Sequence, residues 1–335
     1  MQTRQLGKTG PVVSAFGLGC MGMSDMYGPS DRAESLATFD AAIEAGMTLI
    51  DTGDFYGMGH NEMLIGEALK AHKRDRLVIS VKTGALRDPA GGFLGYDSRP
   101  AAIKNFLAYS LKRLGVDHID IYRPSRLDPN VPIEDTIGAI AEMVQAGYVR
   151  HIGLSEVGAE TIRRAARVAP IVDLQIEYSL VSRGVEAEIL PTLRELGVGM
   201  TAYGVLSRGL ISGHWSKARS EGVGRDFRAL SPRFQGENLE TNLKLAEALG
   251  AVAEAKGVTT AQAAIAWVAS RGDDIVPLIG ARRRDRLAEA LGALDVRLTA
   301  EDLAAIEAAV PADAVAGTRY AEAMMAHLDS ERGSR

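Results

Sequence analysis

The chain has 335 residues, 46 % of them hydrophobic, and a net charge of −5 with acids and bases interspersed. That length and apolar content support a large core, as one big α/β domain or two smaller ones, and exclude coil and fibre. No basic stripe suggests nucleic acid and no polybasic cluster suggests an anionic membrane, so small molecules are the expected partners.

The opening MQTRQLGKTG has no apolar signal core, and Cys20, the single cysteine, cannot close an internal disulfide. No stretch approaches the roughly 18 apolar residues that cross a bilayer. A soluble, cytoplasmic protein is the expectation. Two short runs around Lys8-Thr9-Gly10 read as an N-terminal β-hairpin. From there short apolar runs alternate with longer amphipathic segments, the pattern of a parallel sheet covered by helices. Strands are expected at 15–19, 48–52, 77–82, 119–123, 150–155, 173–178, 199–204 and 275–280.

Between the strands, Leu36, Phe39 and Ile43 share one helix face ahead of a capping Gly46, and Pro100 opens a helix that Gly115 closes. Segments 132–147 and 185–197 follow the same plan, with Pro191 kinking the second or delaying its start. Eight such βα units in this length fit a closed (β/α)8 TIM barrel better than an open sheet, as a single domain over residues 1–335. A long loop after the seventh strand, 207–238, is rich in Gly, Ser and Arg and leaves the barrel where ligands bind. Residues 311–335 form a C-terminal tail, and the closing DSERGSR is expected to fray.

GLGCMG at 17–22 matches G-x-G-x-x-G, but MSDMYGPSD separates it from any helix, so it reads as a glycine-rich loop rather than a Rossmann turn. Asp51 and Lys82 are charges at the tips of otherwise apolar core strands, and Tyr56 follows Asp51 closely. All three fall at the carboxyl ends of the second and third strands, the face where barrels keep their chemistry. A structural Asp–Lys pair with Tyr56 as packing is the plainer alternative. Phenol, ammonium and carboxylate together suit proton donation to a carbonyl oxygen, with the cation lowering the phenol pKa. His60, His118 and His151 lack metal-ligand spacing, so no metal is expected. Arg282, Arg283, Arg284 and Arg286 crowd the start of the helix after the eighth strand, against its dipole, which asks for a compensating anion.

Taken together, GLGCMGMS, IDTGDFYG, VKTG, IYRPSRLDP, GYVRHIGLSE, LQIEYSL, TAYGVLSRGLISG and VPLIGARRRDRLAEAL resemble the aldo-keto reductases over nearly the whole chain. The resemblance implies the barrel fold and reversible, NADP(H)-dependent reduction of aldehydes and ketones to alcohols. It makes Tyr56 the proton donor, Lys82 its neighbour and Asp51 the carboxylate paired with Lys82. The fourth catalytic position, a histidine in the family, is Ser125. Gly19, Cys20 and Met21 match a loop touching the cofactor, Ser155 and Gln175 the nicotinamide carboxamide subsite, and Tyr203 the residue stacked on the ring. Leu206, Arg208 and Gly209 match the cofactor-covering loop over the pyrophosphate. Gly280, Arg282, Arg286 and Glu289 match the adenosine 2′-phosphate subsite, and arginine forks there favour NADP over NAD. Ser155-Glu156 and Glu289-Ala290 stand where the family often has Ser-Asn and Glu-Asn. A regulatory or sensor protein that binds NADP(H) with weak catalysis is the alternative, and a hydrolase using Asp51 with Glu156 or Glu177 a more distant one.

Overall fold

A computed structural model describes residues 1–221 and 226–332. Two strands, β1 (Thr3–Gln5) and β2 (Val12–Ser14), pair antiparallel as the amino-terminal hairpin. Eight parallel strands then close a barrel: β3 (Gly17–Gly19), β4 (Leu49–Gly53), β5 (Val78–Thr83), β8 (Ile119–Pro124), β9 (Val149–Ser155), β10 (Ile171–Glu177), β11 (Gly199–Tyr203) and β12 (Ile275–Gly280). All eight expected strands are present, and their ends move by no more than two residues. Between β5 and β8 lies a second hairpin, β6 (Ala85–Arg87) with β7 (Phe93–Tyr96), which the apolar rhythm does not announce. Its turn is built by polar chemistry: Asp88 accepts from the amides of Ala90 and Gly92 at 2.8 and 2.7 Å, and Gly91 takes a positive φ.

Helices α1 (Arg32–Glu44), α2 (His60–Ala68), α3 (Pro100–Leu114), α4 (Ile133–Gln145), α5 (Ala159–Val168) and α6 (Ile189–Leu196) follow their strands on the outside. Pro191 is the third residue of α6, so the helix starts late, where a missing N–H costs nothing. The short α7 (Lys217–Glu221) lies in the loop after β11, ahead of α8 (Gly236–Ala255) and α9 (Thr260–Ala269). After β12 come α10 (Arg284–Leu291), α11 (Ala300–Ala309) and α12 (Glu322–Met325). Part of the long loop, 222–225, and the last three positions of the tail, 333–335, fall outside the described residues. No helix among the described residues is long and apolar enough to cross a membrane.

Apolar side chains fill two layers. The larger lies between strands and helices, and the smaller fills the barrel, where Leu6 and Val13 of the hairpin pack with Leu49, Ile121, Val172, Val276 and Leu278. The hairpin thus seals the amino-terminal floor, tied there by Lys8 N–H to Gly197 O at 2.8 Å and Ser14 N–H to Thr48 Oγ1 at 2.8 Å. Above that floor the interior turns polar. Arg123 and Asp173 form a fully buried ion pair at 2.8 Å, and a Cβ on Gly153 would meet Asp173 Oδ1 at 2.6 Å, so glycine makes room for it.

The carboxyl end of the chain does not fray through residue 332. Gly158 N–H donates to Asp329 Oδ2 at 2.9 Å, Ser330 Oγ to Glu156 Oε2 at 2.9 Å, and Arg319 to Glu331 at 2.7 Å. Polar composition alone missed these anchors because their partners lie far away in sequence.

Candidate active site

At the carboxyl end of β4 and β5, Asp51 and Lys82 are buried and 2.6 Å apart. Asp51 also accepts from Ser80 Oγ at 3.1 Å and Gln175 Nε2 at 2.7 Å. Ser80 in turn accepts from Arg123 at 2.9 Å, so a polar ladder runs from the interior ion pair up to Asp51. Burial pushes the Lys82 ammonium below its usual pKa, and the attraction of Asp51 opposes that shift.

Tyr56 opens a short turn after β4 and is 5 % exposed, with Lys82 Nζ 5.2 Å from its ring centroid. Its phenol stands well above the ordinary value, first through burial and then through the Asp51 charge. The expected lowering by a cation is therefore reversed in this arrangement. At neutral pH the group keeps its proton, which is what a proton donor requires. Ser125 follows β8 directly; its amide donates to Thr83 O at 2.8 Å, and its buried Oγ has no partner among the described residues.

The remaining expected positions ring the same mouth. Ser155 ends β9 with a buried, unpartnered Oγ. Gln175, on β10, spends its amide on Asp51. Tyr203 ends β11, and its hydroxyl lies 2.6 Å from Glu156 Oε1 and 3.0 Å from the Tyr320 hydroxyl. Beyond Leu206, Ser207 and Arg208 both adopt positive φ, after which Gly209 continues the loop. Arg208 donates to Arg319 O at 2.7 Å and to Glu177 at 3.2 Å. Gly19 ends β3, Cys20 donates its amide to Asp51 O at 3.0 Å, and Met21 begins a short turn with no Rossmann helix behind it. Burial pushes the Cys20 thiol up, so it is no nucleophile.

Gly280 ends β12, and nothing lies within 4 Å of where its Cβ would stand. Arg282 donates to Gly28 O at 2.5 Å, while Arg286 meets Glu289 at 3.0 Å and also contacts His214. The compensating anion for this arginine cluster comes in part from the chain: Glu34 accepts from the Arg284 amide at 2.9 Å, and Asp285 holds Arg283 at 2.6 Å. An opening of about 780 Å³, lined also by Pro29, Asp31 and Glu34, lies over Arg282, Arg283 and Arg284.

The family model for the aldo/keto reductase family matches residues 15–311. The chain belongs to the aldo/keto reductase family. Among solved structures it is similar to a glycerol dehydrogenase from Gluconobacter oxydans, at 29 % identity over 92 % of this chain and 94 % of that one, with a TM-score of 0.82. A thermostable aldo-keto reductase in complex with the inhibitor epalrestat is 28 % identical over 92 % of this chain and all of the other, with a TM-score of 0.73. Aldo/keto reductases are oxidoreductases that act on small carbonyl compounds with nicotinamide cofactors.

Sequence reasoning missed three features of this aldo/keto reductase's mouth. Arg126, next to Ser125, reaches within 3.4 Å of the Tyr320 hydroxyl. Glu156 takes a positive φ and turns to Arg319 at 2.8 Å; burial alone would raise its pKa, but Arg319 outweighs burial and holds the carboxyl well below the usual range. His214 joins the Arg286–Glu289 pair at 2.8 Å from Glu289. For Arg123 and Asp173 a signal existed, since both are charges inside apolar strands, as Asp51 and Lys82 are.

Proposed function

We propose that this protein reduces aldehydes or ketones to alcohols, reversibly, with NADPH as the electron source and Tyr56 as the proton donor. The observation that carries this is the buried 2.6 Å Asp51–Lys82 pair beside a phenol that retains its proton, at the carboxyl mouth of a barrel. Tyr56 gives its hydroxyl proton to the carbonyl oxygen, and the Lys82 charge stabilises the phenolate left behind. Asp51 keeps Lys82 protonated and in place, itself held by Ser80 and Gln175. Ser125 lies at this site with an unused hydroxyl and leaves more room than an imidazole would.

The residues at the mouth fit a dinucleotide. Ser155 Oγ is a buried hydroxyl lacking a partner, Gly280 leaves open space beside its backbone, and Arg282 has no carboxylate within 4.0 Å among the described residues. Gly19, Cys20, Met21, Ser155, Gln175 and Tyr203 would hold the nicotinamide end. Leu206, Arg208 and Gly209, where the chain leaves the seventh barrel strand for the long loop, would cover the pyrophosphate, and Gly280, Arg282, Arg286 and Glu289 the adenosine end. When bound, the reduced nicotinamide supplies hydride to the carbonyl carbon. A guanidinium at Arg282 that meets a backbone carbonyl but no carboxylate favours a 2′-phosphate, hence NADP over NAD. The likeness to a glycerol dehydrogenase supports the alcohol-oxidising direction as well.

Tyr56→Phe tests the reading. Its NADPH-dependent turnover of an aldehyde panel should fall by about 10³-fold or more, while NADPH affinity, followed by fluorescence, stays near the wild-type value. Unchanged turnover in that variant would remove Tyr56 from the mechanism.

A further inference from the structure

The arginines with the most enclosed side chains in this molecule are matched to carboxylates. Arg123 meets Asp173 at 2.8 Å, Arg319 meets Glu156 at 2.8 Å, Arg208 and Arg233 meet Glu177 at 3.2 and 3.4 Å, and Arg228 meets Asp226 at 2.5 Å. Arg126 is partly buried at the same mouth and has no carboxylate within 4.0 Å among the described residues. One guanidinium nitrogen donates to Ser125 O at 2.6 Å and another lies 3.4 Å from the Tyr320 hydroxyl. Tyr203, Tyr320, Glu156 and Tyr96 are near enough for their charges to act on it, and Glu156 is already bound by Arg319 through 2.8 and 3.0 Å contacts. Its charge is felt at both Tyr56 and Lys82. Immediately before it, the buried Ser125 Oγ also lacks a partner. A guanidinium without a carboxylate and a hydroxyl without a partner therefore stand side by side at the mouth, in a fold that elsewhere pairs its enclosed arginines with acids.

We propose that Arg126 anchors a carboxylate carried by the substrate, so that the carbonyl compounds this protein takes are negatively charged. A planar guanidinium fork binds a planar carboxylate through two parallel hydrogen bonds, and enclosure strengthens that recognition. Tyr96 and Tyr320 supply rings and hydroxyls near it, and Ser125, smaller than an imidazole, takes up less of the room beside it. The proposal names the substrate class for the reductase reading and rests on it.

The test compares 4-formylbenzoate with its neutral methyl ester. Each is titrated calorimetrically into wild-type protein, with and without NADP⁺, and into Arg126→Met and Arg126→Lys, whose folding is checked by thermal melts. Wild type should bind the carboxylate at least about tenfold more tightly than the ester, the scale of one charge-assisted pair. The preference should shrink to less than about threefold in Arg126→Met and be partly kept in Arg126→Lys, where the charge remains but the fork is lost. Equal wild-type affinity for the two compounds overturns the proposal, as does full preference in a folded Arg126→Met. NADPH oxidation in the same wild-type samples separates the two readings: discrimination without oxidation removes the reductase reading and leaves the anchor standing.

Discussion

Asp54 lies three residues after Asp51, yet its surroundings set it apart. Asp51 has a cation at 2.6 Å; Asp54 has Thr83 Oγ1 at 2.5 Å, and burial pushes its carboxyl up to about 7, with Thr83 pulling the other way. A folded value above the unfolded one means that the fold prefers the protonated acid. The penalty for ionising Asp54 is absent below about pH 4, grows through the window up to 7, and is complete above it. Asp54 is partly open to solvent, so screening reduces the effect to about 1–2 kcal/mol. Asp54→Asn should therefore gain stability relative to wild type between pH 5 and pH 8, measured by urea denaturation at each pH. A gain of equal size at both would show that the carboxyl is already ionised at pH 5.

Among the elements, the tail carries the strongest expectation. Glu156, just past β9, and Arg319 lie 163 positions apart and are both buried. Glu156→Gln removes the charge that compensates Arg319, at a cost of about 3 kcal/mol or more. It should expose residues 311–332 to limited proteolysis before the barrel unfolds. The acid dependence has a definite sign: Glu156 is held below its unfolded value, so its contribution is present above about pH 4.3 and declines as the pH falls further. The strands were legible because buried parallel strands are unbroken apolar runs, and Asp51 and Lys82 because a charge ending such a run is conspicuous. The β6–β7 hairpin was not, since its short strands are half exposed and its order comes from Asp88. Arg126 and Arg319 were not either, because what distinguishes them is whether a carboxylate comes to meet the guanidinium, a property of distant pairing.

At the scale of the whole molecule, the barrel is plugged at one end and functional at the other. Leu6 is fully buried among Leu49, Val172 and Leu278, so Leu6→Ala should cost about 2–5 kcal/mol of global stability by denaturant unfolding. Positioned on the opposite face from Tyr56, it should leave the steady-state selectivity among aldehydes unaltered. A loss of selectivity with little loss of stability would mean that the floor and the mouth are mechanically coupled, the ladder from Asp173 through Arg123 and Ser80 to Asp51 being the available route.

The sealed floor has a further consequence. With one end stoppered by the hairpin, everything that reacts must enter and leave through a single doorway, and the Arg319–Tyr320 stretch of the tail stands in it, 3.0 Å from the Tyr203 hydroxyl. Traffic is then metered by how often the Arg319–Glu156 latch opens, and a looser latch exchanges passengers faster while inspecting them less.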